Sequence, residues 1–111
     1  MTAEQGRGLT DAESAIVSTF LALPPLAPLS SQLAELRVVA ACACGCPTVF
    51  FGGSTDGRKL IADAQVHHTD GDVVLLFAAS GVLTSLEYLW LGDTPPAAWP
   101  PASWLSALRT S

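Results

Sequence analysis

The sequence predicts an α+β fold, an N-terminal helix laid over an antiparallel meander of about five strands, and three observations predict it. An amphipathic segment with a capping signature stands near the N-terminus. Short β-prone apolar segments follow it, and the links between them are too short for a crossover helix. Strands joined so closely run antiparallel as a meander, and a sheet of that kind needs one face covered. A chain of 111 residues accommodates one domain, here residues 1–111, with a real hydrophobic core.

Residues 1–9 are polar, contain Gly6 and Gly8 and read as a flexible tail. Thr10 opens the helix: Glu13 stands at the reciprocal capping-box spacing, and Asp11 suits the positive first turn. Ala12, Ile16, Phe20 and Leu23 fall on one face, with Ala15 and Thr19 beside them. Pro24 and Pro25 end the helix, and Ser30-Ser31 can cap one further short turn. Residues 36–44 are β-prone and almost wholly apolar, which predicts a central strand. Gly45-Cys46-Pro47 breaks it, and residues 48–51 form a second strand. Turn signals at 54–57, Asp70-Gly71 and Ser80-Gly81 delimit a third strand at 59–68, a fourth at 73–79 and a fifth at 82–91. On the fifth, Tyr88 and Trp90 take one face; Leu83, Glu87, Leu89 and Leu91 take the other. The proline-rich C-terminal tail, 97–111, is expected to contain a short helix over 103–108. Trp99, Trp104, Leu105 and Leu108 are too apolar to float free, so this segment packs back on the sheet or docks on another chain.

Composition excludes several function classes. No apolar run is longer than the seven residues of 73–79, against the ~20 that span a bilayer, so no membrane span is expected. No basic region precedes an apolar block at the N-terminus, which predicts a cytoplasmic protein with reduced thiols. Net charge is −5 and the basic residues are scattered, so a nucleic-acid partner is disfavoured. A protein partner or a homodimer remains the expected class of interaction.

The three cysteines lie together in Cys42-Ala43-Cys44-Gly45-Cys46, and with His67 or His68 they supply zinc-type ligands. On a straight strand, residues two apart lie ~6.6 Å apart, so Cys42 to Cys46 spans ~13 Å, too far for zinc bonds of ~2.3 Å. A bend at Gly45 unites Cys44 and Cys46 but leaves Cys42 out, and adjacent histidines point to opposite faces. By this reasoning Cys42 and Cys44 are small buried hydrophobes, and Cys46, in the turn, is the most exposed thiol. Glu87 either lies on the open face in water or, if covered, needs a cationic partner such as Arg37.

Cys44-Gly45-Cys46-Pro47-Thr48, the stretch Gly81-Val82-Leu83-Thr84-Ser85-Leu86-Glu87 and Trp90-Leu91-Gly92-Asp93-Thr94-Pro95 give residues 35–96 a resemblance to a group of small uncharacterised bacterial proteins. The group has no established function, so the resemblance implies little about activity. By analogy, small α+β proteins of this cast include toxin-neutralising immunity proteins. With no catalytic constellation legible, the expectation is a non-enzymatic interaction protein without a cofactor, binding through Trp99 and Trp104, with Glu87 as a further contact. The alternative is a redox or zinc-binding protein that uses Cys44, Cys46 and one of His67 or His68.

Overall fold

The computed structural model describes residues 6–53 and 56–111; the ends of the expected tail and turn signals at 1–5 and 54–55 lie outside the described residues. It is an α+β architecture with antiparallel sheets. Strand β1 is Arg7–Gly8, helix α1 Asp11–Leu21, and a 3-10 stretch follows over Pro24–Glu35. Then come β2 (Arg37–Val38), β3 (Ala40–Ala41), β4 (Val49–Phe50), β5 (Lys59–Val66), β6 (Val73–Ala79) and β7 (Val82–Leu89), and, after a 3-10 turn at Ala102–Trp104, β8 (Leu105–Thr110). No helix among the described residues is long and apolar enough to cross a membrane.

Helix α1 starts as its capping residues dictate. The Thr10 hydroxyl accepts from the Glu13 N–H, and the Glu13 carboxylate accepts from the Thr10 N–H at 2.9 Å. The buried stripe is Glu13, Ile16, Val17, Phe20 and Leu21, rotated from the predicted one, which left out Val17 and included exposed Ala15. The rotation brings the Glu13 carboxylate inward, where it finds partners. Ile16, Val17 and Phe20 are fully buried against Ala62, Ala64, Val74, Leu76, Leu83 and Leu86 of the sheet. Each such side chain contributes about 1.5–3 kcal/mol by leaving water.

The six-stranded sheet has the order β3-β4-β7-β6-β5-β8, and β1 pairs β2 in a separate ribbon. The hairpins β5-β6 and β6-β7 continue as a meander, but β4 pairs with β7 instead of β5, so the chain crosses the sheet after β4. The expected central strand at 36–44 is instead two dipeptides in different sheets, β2 on β1 and β3 at the outer edge beside β4. Ala40 and Ala41 are exposed. Small side chains there have little to bury, and the chain reverses from Cys42 onward, which ends the ladder. The expected helix at 103–108 is a single 3-10 turn followed by β8, whose Leu105 and Ser106 pair with Val66 and Gln65. The open edge of β5 supplies hydrogen-bond partners that outweigh the weak helical pattern.

On β7 the ladder slips at Thr84: Phe77 faces Ser85 while Ala78 faces Leu83. This bulge lets Leu83 and Leu86 both enter the core and overturns the strict alternation that placed Leu83 beside Glu87. Glu87 turns away from the core and pairs with Arg58, not Arg37. Arg58 also lies 4.3 Å over the Phe77 ring. Arg37 instead donates to the Gly6 carbonyl at 2.9 Å.

Candidate metal centre

The cysteines occupy the loop 42–48 between β3 and β4. Pairing of Ala41 with Val49 and of Ala40 with Phe50 holds the two ends of this loop side by side. The Cys42 N–H donates to the Thr48 carbonyl at 3.1 Å, and the Gly45 N–H donates to the Cys42 carbonyl at 3.4 Å, closing a turn inside the loop. Gly45 sits at φ 93, a left-handed conformation that glycine adopts without cost. The turn begins at Cys42 itself, so the straight-strand spacing never applies. All three sulfurs lie within 4.8 Å of one another, with Cys44 Sγ 3.0 Å from Cys46 Sγ. The exclusion of Cys42 from a common site is thereby overturned.

Burial is also the reverse of expectation. Cys44 is exposed, Cys42 is half-buried and Cys46 is buried. Cys46 tucks beside Pro47 and Val49 against a cleft of about 340 Å³ whose lining includes Arg7, Glu13 and Trp99. Backbone amides point at the sulfurs: Cys44 N–H toward Cys42 Sγ and Cys46 N–H toward Cys44 Sγ, each at 3.4 Å. Such contacts stabilise negative charge on sulfur.

The thiols differ in proton affinity. Hydrogen bonds to Cys42 and Cys46 push the Cys44 thiol up to about 11. Burial alone would raise Cys46, but hydrogen bonds from the Thr48 hydroxyl, from Cys44 and from the Thr48 N–H outweigh it and leave Cys46 below the ordinary thiol value. Thr48 is held for this role, since its hydroxyl oxygen accepts from the buried Tyr88 N–H at 2.9 Å. The buried Cys46 thiol therefore gives up its proton more readily than the exposed Cys44 thiol, which donates toward Cys46 Sγ.

The other candidate residues lie apart from this cluster. Among the described residues no histidine, aspartate or glutamate joins the three cysteines. His67 and His68 are exposed beyond β5: the His67 N–H donates to the Trp104 carbonyl at 2.8 Å, and the His68 ring meets the Trp104 indole edge-on at 4.7 Å. Trp99 and Trp104 are both half-buried against the protein's own core. Trp99 donates its indole N–H to Glu13 Oε2 at 3.3 Å and lies 6.0 Å from the Tyr88 ring. Glu87 takes part in a half-buried cluster with Arg58 and the fully buried Ser85 on the sheet's other face.

Two residues have roles at the site that no local sequence signal announces. Glu13 reads as a capping residue, yet it also binds Arg7 through both carboxylate oxygens at 2.9 and 3.0 Å and gathers Trp99 from the far end of the chain. Thr48 links the cysteine loop to β7 through a strand pairing that no neighbouring residue announces. Comparison with protein-family models, curated proteins and solved structures gave no match, so the chemistry of the site rests on its own atoms.

Proposed function

We propose that the protein binds a soft metal ion through Cys42, Cys44 and Cys46. The observation that carries this reading is the convergence of three sulfurs within 4.8 Å of one another on a loop anchored at both ends. A metal with sulfur bonds of about 2.3 Å holds its ligands about 3.8–4.0 Å apart, a spacing this loop reaches with sub-ångström to ångström shifts. The amides directed at the sulfurs and the Thr48 hydroxyl supply the surrounding hydrogen bonds that tune thiolate ligands. The site includes Cys42 and omits His67 and His68, in contrast to the ligand set expected from sequence.

Cobalt(II) tests the reading, because cobalt–thiolate charge transfer gives a near-ultraviolet band whose intensity grows with the number of sulfurs bound. The reduced full chain should develop that band to saturation at one equivalent, and Cys44→Ser should weaken it. A chain whose cobalt spectrum matches that of free cobalt would remove the proposal.

A second reading, an interaction protein, draws on Leu89 and Leu91, which are 50% and 64% exposed at the end of β7. It predicts self-association or partner capture that Leu91→Ser abolishes. Sedimentation of both chains as identical monomers, with identical partner recovery, would count against it.

A further inference from the structure

We infer, resting on the metal-binding reading above, that the cysteine loop is a three-coordinate site for monovalent copper and not a four-coordinate zinc site. The donor set is the first reason. Structural zinc takes four protein ligands in a tetrahedron, and among the described residues no fourth cysteine, histidine or carboxylate stands with the three sulfurs. A monovalent d¹⁰ ion is satisfied by three thiolates in a plane, and soft sulfur donors select it.

The loop's geometry is the second reason. A trigonal ion with bonds of about 2.3 Å places its sulfurs about 4.0 Å apart at the corners of an equilateral triangle. The loop already gathers its sulfurs within 4.8 Å, so the main adjustment is to open the Cys44–Cys46 contact from 3.0 Å. That opening falls on Gly45, around which a side-chain carbon would meet nothing within 4 Å. The turn has room to widen without moving β3 or β4.

Access is the third reason. Cys44 is exposed and Cys42 half-buried, so the ion is reached from solvent on their side, while the third ligand, Cys46, is buried. A rim open to incoming thiols lets the ion pass to another sulfur ligand by stepwise replacement, without unfolding of the loop. Binding displaces thiol protons and changes no oxidation state: each thiol that ligates Cu(I) releases one proton to solvent, and the metal enters and leaves as Cu(I).

The experiment is a titration of the reduced full chain under argon with Cu(I) held by a competing chelator, bicinchoninate. X-ray absorption at the copper edge then counts the sulfurs. One copper per chain with three sulfur neighbours is expected, together with release of pre-bound zinc on addition of one equivalent of Cu(I). Cys44→Ser, an exposed position whose circular dichroism should match the parent, should lose copper affinity by at least about 100-fold, since even outer-sphere losses act on a 10–100-fold scale. Two sulfur neighbours, more than one copper per chain, or zinc that stays bound against Cu(I) would overturn the inference and leave the metal reading standing. Binding of neither ion above the level of a chain with serine at all three cysteine positions would overturn both.

Discussion

Replacing Glu13 tests how the two ends of the chain are held on the core. In Glu13→Ala the Thr10 N–H loses its capping partner, both Arg7 contacts vanish and the Trp99 indole N–H is left without an acceptor. The cap is worth about 1 kcal/mol. The Arg7 pair adds at most about 1 kcal/mol, because Arg7 is half exposed and regains water. The unpaired indole costs about 1 kcal/mol more. A loss of about 3 kcal/mol is therefore expected, seen as a fall in Tm of roughly 13 °C for a domain of this size. Glu13→Gln keeps the shape and an acceptor oxygen, and should lose only about 1 kcal/mol. The pH dependence fixes the cause. Burial alone would raise the Glu13 carboxyl, but Arg7, Thr10 and Trp99 outweigh it and hold it below the ordinary value of 4.5. A depressed carboxylate contributes fully above its unfolded value and loses that contribution as pH falls through the folded one. The gap between the parent and Glu13→Gln should thus be widest near neutral pH and close below about pH 4.5. Urea melts followed by circular dichroism across that range measure it. A gap independent of pH, or a Glu13→Ala loss under about 0.5 kcal/mol, would refute the reasoning.

A chain ending at Pro96 removes β8, with buried Leu105, and Trp99, each worth about 2–3 kcal/mol of burial against a typical total of 5–15 kcal/mol. Such a chain should show no cooperative melt; a wild-type transition would show that β8 is dispensable. Gly45→Ala meets no steric contact, but its φ of 93 costs a side-chain-bearing residue about 1–2 kcal/mol. The metal-free loop relaxes locally to escape that strain, so the cost falls on binding: metal affinity should fall about tenfold, equal to about 1.4 kcal/mol, while the melt of the metal-free core shifts little. Unchanged affinity would mean that the turn does not set the sulfur positions.

What could be read in advance follows from how local each signal is. The capping box at Thr10 and Glu13, the end of α1 before Pro24, and the hairpins β5-β6 and β6-β7 depend on neighbours in sequence, and each is found where its residues put it. The pairing of β4 with β7 and of β8 with β5 depends on which strand edges meet in space, and no local pattern encodes that. A single bulge at Thr84 was enough to move Leu83 to the opposite face. The cysteine site depends on spatial pairing for the same reason. On a straight strand the spacing keeps Cys42 and Cys46 far apart, while a loop pinned by Ala41–Val49 pairing begins at Cys42 and brings all three sulfurs together. Trp99 and Trp104 carried the apolar weight expected of a docking surface, and the core of the same chain takes them up.

The central claim, that three sulfurs of one loop converge on one ion, is tested most directly by native mass spectrometry. The reduced chain and its Cys42→Ser, Cys44→Ser and Cys46→Ser variants are each sprayed with equimolar soft metal. The parent chain should carry one metal ion, and each single substitution should deplete that species. A parent spectrum without metal, or a metal adduct that survives all three substitutions equally, would contradict it.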